Sequence, residues 1–125
     1  MLEEKSNISY DDFAKLDIRI GRVEEAERVP ETDKLIKCTV DFGELGTRTI
    51  VSGIAEFRTP EDIIGRSLPD IVNLAPRMLK GIESQGMLLA LSFGLPAAQG
   101  TAQAGEHDLA LLVPDKDVPS GTKAQ

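Results

Sequence analysis

The sequence predicts an all-β fold: a five-stranded Greek-key barrel of the OB type, with short helices and a C-terminal extension. Three observations carry that prediction. Ile36, Cys38, Val40 and Phe42 alternate with Lys37, Thr39 and Asp41, the period-two pattern of a half-buried antiparallel strand. The apolar runs come in the order three strands, one short helix, two strands. No helix between them reaches the roughly ten or more residues that a crossover between parallel strands requires. A length of 125 residues suits one domain with one core, residues 1–125.

Each element has its own signal. Ser9 followed by Asp12 reads as a helix N-cap with an acid at the third position, and Phe13 and Leu16 supply a short apolar spacing, so Tyr10 to Leu16 is one or two helical turns. From Asp17 the pattern turns strand-like through Ile18 and Ile20, and the parity shift at Gly21 points to a bulge or sharp bend. The Ile36–Phe42 strand places Cys38 on the core side. Gly43-Glu44-Leu45-Gly46 is a hairpin turn leading into a third strand, Thr47 to Val51. Thr59 as N-cap, Pro60 in the first turn and Glu61-Asp62 near the positive end of the helix dipole start a short helix that Gly65 ends. Ile71–Leu74 and Gly86–Leu91 read as fourth and fifth strands, joined by Ala75–Gly81. Gly94 to Asp108, rich in Ala, Gly, Gln and Pro, reads as an irregular loop. Leu109–Val113 and the ending Val118-Pro119-Ser120-Gly121-Thr122-Lys123 form an apolar strand and a turn beyond a finished barrel, which need a surface to rest on: their own barrel or another subunit.

Fourteen Lys and Arg against 21 Asp and Glu leave a net charge of −7. The charge is uneven: residues 1–33 hold 10 acids and 5 bases, 34–93 hold 7 and 7, and 94–125 hold 4 and 2. A polyanion would therefore be met by a local patch in the middle segment, because the molecule as a whole repels it. One cysteine, Cys38, and one histidine, His107, allow neither an internal disulfide nor a His/Cys zinc site. The acidic N-terminus is not a signal sequence, and the uncharged stretch after Gly86 is broken by Gly and Pro, so no membrane association and a reducing, cytoplasmic setting are expected.

Catalytic patterns fail on inspection. Gly81-Ile82-Glu83-Ser84-Gln85-Gly86 has the spacing of a P-loop, but Met87 and Leu88 stand where the phosphate-binding Lys and the magnesium-binding hydroxyl must be. The same segment has Ile82 where a nucleophile elbow needs its first glycine. The acidic pairs Asp11-Asp12, Glu24-Glu25 and Glu61-Asp62 are solvated faces or helix starts, and His107 between Glu106 and Asp108 is a surface residue. With no nucleophile and base pair, a binding module without enzymatic activity or cofactor is the expected class.

Three segments carry a resemblance: Val51-Ser52-Gly53-Ile54, Thr59-Pro60-Glu61-Asp62-Ile63-Ile64-Gly65, and Asn73-Leu74-Ala75-Pro76-Arg77-Met78-Leu79-Lys80-Gly81-Ile82-Glu83-Ser84-Gln85-Gly86-Met87. Together they resemble the stand-alone tRNA-binding domain, the module also appended to methionyl-tRNA synthetases; the likeness covers residues 8–92 and extends into the tail. Asp41-Phe42-Gly43-Glu44-Leu45-Gly46 and the ending from Val113-Pro114 resemble the CsaA proteins, a chaperone-like sister branch, whereas Ser84-Gln85-Gly86-Met87 sides with the synthetase branch. The resemblance implies an OB barrel that binds structured tRNA by backbone and shape. It further implies homodimerisation through residues 94–125 and action in trans with an aminoacyl-tRNA synthetase of the methionyl type.

Carried over by motif, the RNA-facing candidates are Lys34, Ser52, Asn73, Arg77, Lys80, Ser84 and Met87. Lys34, Arg77 and Lys80 suit phosphates, Ser52, Asn73 and Ser84 suit ribose or phosphate oxygens, and Met87 suits a sugar or base. Each has a plainer role open to it: Lys34 solvating a turn, Asn73 satisfying backbone, Met87 filling core. Gly53, Gly81 and Gly86 read as positions of backbone freedom or close approach. Val29 replaces a His frequent in the family, and Pro69 falls in a normally continuous apolar run, so it is expected at the start or on an edge of its strand. The rival reading is a CsaA-like chaperone dimer that binds unfolded or export-bound polypeptides.

Overall fold

The computed structural model describes residues 4–94 and 107–125. In chain order the elements are α1 (Tyr10–Phe13), β1 (Ile18–Arg28), β2 (Ile36–Asp41), a 3-10 turn (Gly43–Leu45), β3 (Thr47–Ser52), α2 (Pro60–Ile63), β4 (Ser67–Ile71), β5 (Arg77–Leu79), β6 (Ile82–Ser84), β7 (Met87–Leu88), β8 (Ala90–Gly94) and β9 (His107–Leu111). Five strands form one antiparallel sheet in the order β3-β2-β1-β4-β7. The sheet curls until its ends nearly meet. The gap between β3 and the β6–β7 region is bridged by polar groups: the Val51 N–H donates to Ser84 Oγ at 2.9 Å, the Gln85 N–H to the Thr49 carbonyl at 2.8 Å, and the Thr49 N–H to Gln85 Oε1 at 2.9 Å. The result is the mostly β, five-stranded, OB-like barrel that the alternating pattern predicts.

Alternation in β2 survives intact: Ile36, Cys38 and Val40 are buried and the residues between them are half-buried. With Val23, Phe42, Ile50, Ile63 and Leu68 they fill the barrel. Both short helices start at the expected caps: Ser9 Oγ accepts from the Asp12 N–H at 3.1 Å, and Thr59 Oγ1 accepts from the Asp62 N–H at 3.3 Å ahead of Pro60.

The structure revises four expectations. The register shift of β1 lies between Val23 and Glu25, not at Gly21. Gly21 is small because a Cβ there would sit 2.4 Å from the Phe42 ring and from Val40. The fourth strand runs from Ser67 to Ile71 rather than from Ile71 to Leu74, with Pro69 at its middle rather than its start. Pro69 faces Ile20, whose own N–H and C=O are taken by Thr122 and Gly121, so the missing proline N–H points toward the two-residue β7. There the Pro69 carbonyl still accepts from Leu89 at 3.0 Å, and the lost donor falls at the end of a ladder.

Third, the connection that starts at Ala75 contains the hairpin β5–β6, turned by Lys80 (φ 51°) and Gly81 (φ 79°). Fourth, the single fifth strand is divided: β7 completes the barrel, and β8 leaves it to pair with β9. Most of the expected Gly94–Asp108 loop, residues 95–106, lies outside the described residues. The ending rests on its own barrel. The Gly121 N–H donates to the Ile20 carbonyl at 2.7 Å, the Ile20 N–H to the Thr122 carbonyl at 2.8 Å, and the Ala124 N–H to the Ile18 carbonyl at 2.8 Å, so the tail acts as an extra strand on the first half of β1. Leu109 of β9 is buried in the same core.

Candidate functional site

The β5–β6 hairpin is three residues a side, which leaves most of its side chains in solvent. Arg77 at its base and Lys80 at its tip are exposed, and neither makes an ion pair or side-chain hydrogen bond among the described residues. Several other cations are committed, Arg19 to Asp17 at 2.9 Å, Arg58 to Asp62 at 3.0 Å and Lys37 to Glu27 at 3.3 Å, while Arg22 and Lys116 are exposed and, among the described residues, unpaired like the hairpin pair. Against the one exposed acid of the hairpin, Glu83, these two uncommitted positive charges leave a small local positive excess on a molecule of net charge −7.

Beside Arg77 a groove of about 360 Å³ opens between the end of β3 and the strands β5 and β7. Leu35, Val51, Ile54, Leu79 and Leu88 make its walls apolar, while Ser52, Gly53, Arg77 and Met87 supply its rim. Ser52 is half-buried at the end of β3 and its hydroxyl has no hydrogen-bond partner among the described residues; Met87 is 40% exposed. Lys34, in the connection from β1 to β2, lies beside this groove's Leu35 wall; its ammonium is 4.0 Å from Glu56 and largely exposed.

Two of the seven candidates are spent on the fold. Asn73 Oδ1 accepts from the Asp17 N–H at 2.8 Å and its Nδ2 donates to the Lys15 carbonyl at 2.6 Å, tying the α1–β1 junction to the end of β4. Ser84 is 3% exposed, and its hydroxyl accepts from Val51 while donating to the Gly86 carbonyl at 3.2 Å. The Ser84-Gln85-Gly86 motif is a latch that closes the barrel, and a Cβ on Gly86 would meet the Ile71 carbonyl at 2.9 Å. Val29, where a histidine is frequent in the family, is buried at 5% exposure.

Two buried ionisable groups lie behind the groove, around an internal cavity of about 10 Å³ shared with Ser52. Burial pushes the Cys38 thiol up to about 12 and the Asp70 carboxyl up to about 8. Cys38 is thus a protonated core residue rather than a nucleophile. Among the described residues no three His, Cys, Asp or Glu side chains converge as a metal ion would require, and no helix is long and apolar enough to cross a membrane. A larger groove, about 620 Å³, runs between the start of β4 and the tail, but none of the seven candidates lines it.

Comparison with known proteins bears on the same residues. Residues 18–123 match the family described as "Putative tRNA binding domain". The chain is 44% identical over 121 residues, 97% of its length, to the methionine–tRNA ligase of Bacteroides fragilis, and 49% identical over 116 residues, 93% of its length, to that of Methanocorpusculum labreanum. It spans 16% and 15% of the length of these relatives. Among solved structures, the MetRS related protein from Pyrococcus horikoshii superimposes with a TM-score of 0.80 at 35% identity, covering 97% of this chain and 100% of the other. The chaperone CsaA from Bacillus anthracis gives 0.76 at 35% identity, covering 96% and 100%.

Proposed function

This chain belongs to the tRNA-binding domain family, and from that premise we propose that it is a non-catalytic module holding structured tRNA through its backbone and shape, with Arg77 and Lys80 as the phosphate contacts. The observation that carries the reading is the β5–β6 hairpin: two exposed cations with no acidic partner among the described residues, beside a groove rimmed by Ser52 and Met87. Phosphate contacts supply affinity and position the RNA without reading sequence. Lys34, next in sequence to the groove's Leu35 and largely exposed beside Glu56, would add a further phosphate contact. Asn73 and Ser84 act indirectly, by holding the elements that present it.

Similarity to methionine–tRNA ligases over about a sixth of their length supports action in trans with, or alongside, a synthetase of that type in the cytoplasm. Homodimerisation through residues 94–125 and the adjoining β8 would join two weak sites; Leu91 and Phe93, on one face of β8 at 52% and 45% exposure, and Val113 at 57% supply an apolar surface for it.

The test is binding of labelled bulk tRNA, against duplex and single-stranded RNA competitors, over a salt series. The expected result is a preference for tRNA, a log-log salt slope of a few units, and at least a tenfold loss in Arg77→Glu with Lys80→Glu. No binding at low salt overturns the reading. One observation favours a second reading, a chaperone-like dimer for unfolded polypeptides: the likeness to CsaA at a TM-score of 0.76. Suppression of a client's aggregation that survives Arg77→Glu would establish it.

A further inference from the structure

Glycines are costly to order, and each one in a barrel wall calls for a reason. For seven of the eight whose surroundings are described, the fold supplies it. Gly43, Gly46, Gly65, Gly81 and Gly121 have φ between 66° and 92°, while a Cβ on Gly21 or Gly86 would collide with neighbours at 2.4 Å and 2.9 Å. Gly53 has neither reason. Its φ lies outside the left-handed region and a Cβ built there meets nothing within 4 Å. Alanine or valine would therefore fit the isolated domain without strain. Gly53 is exposed, directly follows β3, and has no hydrogen-bond partner for its N–H or C=O among the described residues.

The open space in front of Gly53 is the groove. Its volume of about 360 Å³ falls within the roughly 300–1,000 Å³ of small-molecule sites, its walls are apolar, and Arg77 stands on its rim. Apolar walls beside a cation and a free hydroxyl, Ser52, match one nucleotide: a base or its ribose against Leu35 and Ile54, with the phosphate turned toward Arg77. A base stacked within a duplex cannot enter such a groove, whereas one in a tRNA loop or at its 3′ end can.

Resting on the tRNA-binding reading above, we infer that the groove lined by Gly53 takes a single unpaired nucleotide of the bound tRNA, and that Gly53 lacks a side chain to leave room for it. The hairpin cations then supply position, and the groove supplies the discrimination between tRNA and uniform duplex.

The experiment compares wild type, Gly53→Ala, Gly53→Val and the double variant Arg77→Glu with Lys80→Glu, measuring affinity for bulk tRNA and for a blunt RNA duplex over a salt series, together with thermal midpoints. Gly53→Val is expected to melt at or above the wild-type midpoint and to lose at least tenfold in tRNA affinity. Its salt slope should not change, because no phosphate contact is removed, and its duplex affinity should stay within twofold of wild type. Gly53→Ala should lie between. The charge-reversal variant, by contrast, should lose affinity for both RNAs and flatten the slope. Wild-type tRNA affinity in Gly53→Val overturns the inference and leaves the tRNA-binding reading standing. Equal losses on tRNA and duplex overturn the unpaired nucleotide as occupant. Lowered midpoints in both Gly53 variants return the glycine to the fold and overturn it as well. Absence of tRNA binding by the wild type overturns the functional reading itself.

Discussion

Asp70, 2% exposed on β4, lines the internal cavity with Val23, Cys38 and Ile50, and burial raises its carboxyl from 3.8 to about 8. A folded pKa above the unfolded one means that the native state keeps a proton the unfolded chain has released, so stability falls as pH rises. The loss is about 1.4 kcal/mol per pH unit between roughly pH 4 and pH 8 and levels off above the folded value. Asp70→Asn, which keeps the shape of the protonated acid, should remove that slope and raise stability at pH 8 by several kcal/mol. Urea denaturation at pH 5, 7 and 9 checks it; parallel pH profiles for the two proteins would refute the assignment. At this scale the sequence is readable for charge and not for commitment. Arg77 and Lys80 announce themselves as cations, but the same amide or hydroxyl serves RNA or backbone, and only the positions of Lys15, Asp17 and Val51 show where Asn73 and Ser84 are spent.

Among the elements, the barrel wall between β3 and β6 is closed by two side-chain hydrogen bonds and one backbone bond rather than by a continuous ladder. Ser84→Ala leaves the Val51 N–H buried without an acceptor, a loss of about 1–3 kcal/mol. Chemical denaturation should register that loss, while the folded variant's tRNA affinity, measured well below its melting point, should stay within twofold of wild type. A selective loss of tRNA binding without a loss of stability would instead make Ser84 an RNA contact. The hairpin β5–β6 escaped the sequence reading because three-residue strands carry too few alternations for a period to emerge, and because Pro76 and Gly81 resemble a plain connection. The fourth strand was displaced toward its C-terminal end for a related reason: Pro69 reads as a breaker, and it is tolerated only because its nitrogen faces the stub of β7.

For the whole molecule, charge and assembly act together. A net charge of −7 opposes any polyanion, so on the proposed reading a single hairpin patch would bind weakly and two joined patches more tightly. The proposed dimer predicts that sedimentation gives twice 13.5 kDa and that Leu91→Glu with Phe93→Glu yields a monomer with weakened tRNA binding and an unchanged salt slope per site. A wild type that sediments as a monomer at working concentration removes dimerisation from the proposal. Within the extension, residues 121–124 are already engaged with their own barrel: their backbone is paired with Ile18 and Ile20, and Gly121 lies so close to Phe42 that a Cβ would come 2.4 Å from its carbonyl, which leaves β8, β9 and Val113 for the proposed dimer contact.

What the sequence by itself determined were features written between near neighbours: the alternation of Ile36 to Phe42, the caps at Ser9 and Thr59, the Gly43–Gly46 turn, and from these the class of barrel. Those rest on interactions a few residues apart, which a linear pattern records. The tertiary structure decided what depends on partners far along the chain. Asn73, itself exposed, reaches Lys15 across 58 residues, and buried Ser84 reaches Val51 across 33, so both side chains are engaged with distant backbone. Gly53, grouped by its motif with Gly81 and Gly86, was set apart from them only by the open space in front of it and the absence of a positive φ. A polar group has a fixed number of hydrogen bonds to give, and folding determines which of them remain for a ligand.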